Sequence, residues 1–211
     1  MTGILDQVRD RILSGTVAAG RSIRQDALAI ELGISKIPLR EALARLEQEG
    51  LVRAEPNRGF FVRPLSAAEA REVYELRLKL EPDAAAAGAL AAADADRAEA
   101  AAASAELACA VAQARADVGA RNRAFHIALV RPSGQAVTTE ILARLHVLSE
   151  RYVRVHLEPG GRADRAAGEH RELLEAWLGR RLYRVRALTR DHIAATLDDL
   201  GRQLGRNGEA A

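Results

Sequence analysis

From residue 84 to residue 120 the chain carries 21 alanines in 37 positions. Alanine is the best helix former, so this low-complexity stretch is predicted to be helical rather than disordered, and its small side chains let helices approach closely. Apolar residues elsewhere recur at three- and four-residue steps, and β-branched, strand-like runs occur only around residues 51–63. Apolar residues make up 48% of the 211-residue chain and charged ones 28%, an ordinary globular balance for one large or two small domains. The single cysteine, Cys109, excludes an internal disulfide and a Cys-rich zinc ribbon, and is expected to be a small buried side chain. No apolar run approaches the roughly 18 residues that span a bilayer. The start, Met1 to Asp6, lacks the basic and apolar regions of a signal peptide. A cytoplasmic protein without a membrane partner is expected.

Residues 1–65 predict three helices and a hairpin. The first helix covers about 3–14, with Ile4, Leu5, Val8 and Ile12 on one face. The second covers about 25–32, with Leu28, Ala29 and Leu32 inward and Gly33 as C-cap. Ser35 is placed to N-cap the third, which ends at Gly50 and buries Leu39, Leu43 and Leu46. Residues 51–54 and 60–63 read as short strands joined by Glu55-Pro56-Asn57-Arg58-Gly59. Such a unit is a winged helix-turn-helix. With the leucines inward, Lys36, Ile37 and Arg40 point outward near the helix N-terminus, where free N–H groups suit phosphate. Lys36 and Arg40 are four apart and could reach base edges in a major groove. Net charge is only +2, with ten Lys/Arg against eight Asp/Glu in residues 1–65 and 21 against 21 beyond. By charge alone a solvated basic helix face, common on any protein, is the better fit.

The runs Leu32-Gly33-Ile34-Ser35, Pro38-Leu39-Arg40-Glu41-Ala42-Leu43 and Leu46-Glu47-Gln48-Glu49-Gly50-Leu51-Val52 resemble the DNA-binding domain of GntR-type bacterial transcription regulators. The segment Pro56-Asn57-Arg58-Gly59-Phe60-Phe61-Val62 resembles that family's wing, and the similarity spans nearly all of residues 4–63. It implies that Ser35, Lys36 and Arg40 are recognition-helix contacts, with Arg40 reading a guanine, and that Arg58 and Gly59 form a wing tip in the minor groove. Lys36 stands where arginine is more usual, which weakens bidentate readout. Ile37 occupies an often small or hydroxylic position and offers a thymine-methyl contact. Arg24 replaces a frequent serine cap and implies a phosphate contact.

Residues 66–206 predict an all-α antiparallel bundle with helices at about 67–90, 94–116, 117–131, 136–157, 165–178 and 181–204. Ser66 is the N-cap of the first, and Pro82 is expected to kink or break it. Val137, Ile141, Leu145, Leu148, Tyr152 and Val155 predict one continuous buried stripe. Asn122 and His126 share one helical face. His170 lies with Leu173, Leu174 and Trp177, and His192 with Val185, Leu188 and Ala195. Three inward histidines on three helices could converge on a metal, or be three separate core histidines bonded to carbonyls. His146 and His156 fall just off their stripe and read as structural or solvated.

Glu75-Leu76-Arg77-Leu78-Lys79-Leu80-Glu81-Pro82, Asn122-Arg123-Ala124-Phe125-His126, Glu169-His170 and His192 resemble the FCD effector and oligomerisation domain of the FadR branch of that family. The resemblance implies a metal held by His126, His170 and His192, with Asn122 where the family usually has an aspartate and so a weaker ligand. Imidazoles favour a divalent transition metal, zinc or nickel first. It further implies a small carboxylate effector in the open positions, with Arg77 as a second handle unless that residue forms a surface salt bridge. The function implied is a ligand-responsive transcription regulator, a homodimer on a palindromic operator, and not an enzyme. The alternative is a metal-dependent hydrolase with Glu169 as base, although Glu169 and His170 diverge by roughly 100° on a helix.

Overall fold

The computed structural model describes residues 3–157 and 160–208 and divides the chain into two compact units, Met1–Leu65 and Ser66–Ala211. In the first unit, α1 (Ile4–Leu13) buries Val8 and Ile12, and α2 (Gln25–Leu32) ends at Gly33 in the left-handed region. The third helix, α3 (Lys36–Gln48), buries Leu39, Ala42, Leu43 and Leu46. Arg9 on α1 donates two hydrogen bonds to Glu49, 3.0 and 2.7 Å long, which tie α1 to the end of α3. Strands β1 (Val52–Glu55) and β2 (Gly59–Val62) pair antiparallel with Val52 opposite Val62. Asn57 and Gly59, at φ 60° and 87°, supply the backbone the tight turn needs.

Two local features differ from expectation. Ser35 occupies the N-cap of α3, but its side chain makes no capping bond. Residues 20–23, without strand-like alternation, lie along β2: Gly20 N–H donates to Val62 O, and Ile23 N–H to Phe60 O. A one-bridge pairing this short leaves no period-2 pattern to detect.

The second unit contains α4 (Ala67–Ala91), α5 (Asp94–Ala112), α6 (Val118–Val130), a 3-10 turn at Arg131–Ser133, α7 (Ala136–Leu157), α8 (Arg162–Leu178) and α9 (Leu182–Gly208). Ser66 Oγ caps α4 by accepting the Glu69 N–H. Pro82 does not break this helix. It lies buried beside Ala84, Ala85 and Ala86, and packing of α4 against α9, α7 and α6 outweighs one missing backbone bond. The next helix ends four residues earlier than expected. Ala114 turns left-handed at φ 48°, and Arg115 then grips Asp117, the residue preceding α6.

The buried stripe of α7 is also rotated from the expected one. Val137 and Ile141 are 72% and 46% exposed, whereas Leu142, Leu145, His146, Ser149, Tyr152, Val153 and His156 face inward. The apolar pattern misleads because this helix turns polar side chains to the interior. Cys109 is exposed, not buried, because α5 directs Leu107 and Ala110 inward instead. Among the described residues no helix is long and apolar enough to cross a membrane.

Helices α4 and α6 touch backbone to backbone at Gly88, where an added Cβ would stand 2.0 Å from Leu129 O. The Trp177 indole N–H of α8 bridges the same crossing, 3.1 Å from Ala85 O and 3.0 Å from Leu129 O. Gly88→Ala is therefore expected to cost about 1–3 kcal/mol by forcing the helices apart, read as a lower urea midpoint. A midpoint equal to that of the parent would show that the helices are not in contact there.

Candidate metal centre and nucleic-acid interface

In the first unit α3 presents a largely polar N-terminal end. Ser35, Lys36 and Arg40 are exposed, and Ile37 is 72% exposed, so an apolar group stands free in the middle of the set. Lys36 Nζ rests 2.6 Å from Asp26 Oδ1 of α2, an exposed ion pair that any anion approaching Lys36 would have to displace. Arg24 is exposed at the N-cap of α2. On the wing, Arg58 pairs with Glu55 at 2.5 Å and lies 5.2 Å above the Phe61 ring. Gly59, beside it, faces Gln25: a Cβ there would stand 3.1 Å from Gln25 Nε2. Sequence reasoning missed both Gln25 and Asp26, which carry no pattern of their own until the turn brings them near.

In the second unit His126 of α6, His170 of α8 and His192 of α9 come together with ring centroids 4.5–5.4 Å apart. Each offers a ligand nitrogen within 4.8 Å of the other two. His170 Nε2 and His192 Nε2 are 3.2 Å apart. His126 Nδ1 meets Glu81 Oε1 at 2.7 Å, and His192 Nδ1 meets Glu169 Oε2 at 2.6 Å. A carboxylate partner fixes the proton on Nδ1, so Nε2 of both rings presents a lone pair to the shared space. His126 Nε2 is buried there with no hydrogen-bond partner. Asn122 is buried one helical turn before His126 and lines the same cavity as His170 and His192, a space of about 30 Å3.

Burial pushes His170 and His192 well below the usual imidazole range, and neighbouring imidazoles and Arg77 add to the shift. Both rings are therefore neutral, as metal ligands must be. Arg77 is not at the surface. It is buried at 2% exposure, donates from Nε to Glu81 Oε2 at 2.8 Å and from a terminal nitrogen to Ser149 Oγ at 3.3 Å, and lines the cavity. Desolvation opposes ionisation of Glu81, but Arg77, His146 and His126 outweigh it, and the carboxyl lies well below its ordinary range.

Of the two readings for His146 and His156, structural holds and solvated does not, because the inward face of α7 is the polar one. His146 Nε2 lies 3.1 Å from Glu81 Oε2, and His156 lines the cavity with Nδ1 3.7 Å from Asp199. Glu81, His126 and His146 form a second compact group of potential ligand atoms, but they hydrogen-bond one another and Arg77 adds a cation. This group suits positioning better than binding. Sequence reasoning overlooked Glu81, although Arg77 and Glu81 four apart on a helix are a recognisable pair. It weighed Glu169 only as a base beside His170, whereas Glu169 reaches across to His192.

Residues 2–62 match the bacterial regulatory proteins of the gntR family, and residues 72–195 match the FCD domain. The chain belongs to the GntR family, with an FCD domain after its helix-turn-helix. An uncharacterized HTH-type transcriptional regulator in an unstable DNA locus of Streptomyces ambofaciens is 30% identical over 93% of this chain and 83% of its own length. An uncharacterized HTH-type transcriptional regulator of Bacillus subtilis, YdhC, is 37% identical, but over only 36% of this chain and 34% of its own length. The E. coli McbR/YncC structure shares the fold at TM-score 0.79 and 22% identity, covering 97% of this chain and all of that one. This GntR–FCD protein is thus a DNA-binding transcription regulator and not an enzyme. Its mainly α fold, a winged helix-turn-helix followed by a helical domain, is that of the family.

Burial lowers His146 to about 3 and His156 to about 4. Below the unfolded value near 6.5 the unfolded chain therefore takes up protons that the folded regulator excludes. Stability is full above that value and falls as pH drops toward the folded values, by up to ~1.4 kcal/mol per pH unit per ring. Glu169, raised by burial, works in the opposite sense. Urea unfolding of the metal-free protein is expected to show a loss of at least ~2 kcal/mol between pH 7 and pH 5. A flat profile across that interval would place these rings in water.

Proposed function

We propose that this regulator binds a palindromic operator as a homodimer through its first unit and senses a small carboxylate through a metal-containing pocket in its second. The observation that carries the sensing half is the buried, unpartnered Nε2 of His126 beside the facing Nε2 atoms of His170 and His192. Unsatisfied polar atoms are expensive in a protein interior, and a cation removes the cost. The residues fit a divalent transition metal, zinc or nickel first, since the donors are neutral imidazoles with carboxylates behind two of them. His126, His170 and His192 would hold it, with Asn122 as a fourth, uncharged ligand. A metal held there supplies a Lewis-acidic anchor for the effector's carboxylate.

Arg77 lines the same cavity, but Glu81 occupies much of its guanidinium. It acts on an anion mainly through its field. The hydrolase reading needs a free base near the metal, and Glu169 is instead hydrogen-bonded to His192. The exposed Val137 and Ile141, one turn apart on α7, suit a partner subunit. A soluble regulator that reads DNA belongs in the cytoplasm.

On the DNA side, Arg40 reads a guanine in the major groove, flanked by Ser35, Lys36 and Ile37, with Arg24 on phosphate and Arg58 and Gly59 at the minor groove. Loss of a bidentate Arg–guanine pair removes ~1–3 kcal/mol of discrimination. Arg40→Ala is thus expected to erase operator preference in a gel-shift competition. An unchanged ratio of specific to nonspecific binding would reject the assignment.

For the metal, His126→Ala is expected to abolish stoichiometric zinc in elemental analysis and to leave Arg40-dependent DNA selectivity intact. Asn122→Asp, which adds a negative charge to the ligand set, is expected to tighten zinc at least tenfold in chelator competition. Zinc affinity indifferent to both substitutions would reduce the three rings to ordinary core histidines.

A further inference from the structure

The cavity at the histidines holds about 30 Å3, room for two or three water-sized groups. Beside it lies a second, half-open pocket of about 360 Å3. Val111 of α5, Val118 of α6 and Leu157 of α7 line both, so three apolar side chains form a common wall. Beyond that wall the larger cavity is lined by alanines, among them Ala116 and Ala163, and by Arg115. Arg115 offers no free charge. Its Nε and a terminal nitrogen already sit 2.9 and 2.7 Å from the two carboxylate oxygens of Asp117.

A chamber that holds His170, His192, Asn122 and Arg77 but is too small for a whole metabolite therefore adjoins a larger pocket whose described lining residues include one charged side chain, Arg115, already paired. We propose that the effector is an amphipathic monocarboxylate, whose head sits at the histidines and whose apolar chain or ring passes the Val111–Val118–Leu157 wall into the larger cavity. This rests on the carboxylate-sensing reading above and adds the ligand class. A dicarboxylate or a hydroxy acid of the same length is disfavoured, because the alanine and valine lining gives its polar far end no free donor and gains less from contact with it than from a methyl-ended chain.

The test titrates the zinc-loaded full chain with acetate, butanoate, hexanoate and octanoate, and with octanedioate as the matched diacid. Affinity is expected to rise with chain length by up to about fourfold per methylene, which corresponds to ~0.8 kcal/mol per buried CH2. Octanedioate is expected to bind at least tenfold more weakly than octanoate. The same increments are expected in the metal-free protein on a weaker baseline, since the apolar chamber does not include the histidines. Ala163→Phe on α8 and Ala116→Phe before α6 each fill the larger cavity and are expected to flatten the series toward the acetate value. The two positions lie on different segments, so one variant carries the test if the other does not fold.

Equal affinity for acetate and octanoate overturns this proposal and leaves the metal-centred carboxylate reading standing. Failure of every acid to bind overturns both. Octanedioate binding more tightly than octanoate, or chain-length increments that persist in both filled variants, also overturns it.

Discussion

A carboxylate sealed from water must be surrounded by donors or give up its charge, and Glu81 at 1% exposure is such a group. Arg77 lies one turn before it on α4, His126 approaches from α6 and His146 from α7. One side chain therefore ties three helices together in register and orients two rings, His126 and His146, whose other nitrogens are buried without a hydrogen-bond partner. An apolar replacement would pack these helices at no electrostatic cost. It would not aim His126. Buried ion pairs are weak contributors to net stability, and their best use is to specify an arrangement.

The same polar interior explains where the sequence was readable and where it was not. Every helix of the second unit is visible in its spacing, because alanine and leucine periodicity reports the helix whichever face is buried. The α7 face was misread for a physical reason: the stripe rule assumes that apolar side chains point inward, and here His146, Ser149 and His156 do so while Val137 is exposed. Pro82 is the complementary case, a local rule overridden because packing on several sides stabilises the helix more than one lost bond weakens it. The coming together of His126, His170 and His192 was legible as a possibility, since each sits on an inward stripe. Their carboxylate partners were not, because Glu81 and Glu169 meet rings 45 and 23 residues away, and no local period encodes a crossing between helices.

In the first unit, legibility followed from turn chemistry. Gly33, Asn57 and Gly59 adopt positive φ where the pattern asks for it. The edge pairing of residues 20–23 and the Lys36–Asp26 contact are products of tertiary placement. The latter has a consequence for recognition. A lysine already close to a carboxylate gains less from an anion than a free one, whereas Arg40 makes no ion pair among the described residues, which would leave its guanidinium open for the proposed base contact.

Charge sets the last constraint on the proposed sensing site. Its proposed ligand set is neutral: three imidazoles and an amide. Of the two carboxylates behind it, Glu81 is already balanced by Arg77, and Glu169, partly balanced by Arg165, is raised in pKa by burial. A dication placed among these residues would carry more charge than the interior neutralises, and in a medium of low polarity that excess is costly. An anionic effector removes it. Effector and metal then strengthen each other's binding by the same factor, as thermodynamic linkage requires. An aspartate at position 122 would supply part of that charge from the protein itself and loosen the coupling. In the proposed reading, the amide of Asn122 would thus favour a sensor whose metal is held firmly only when its ligand is present.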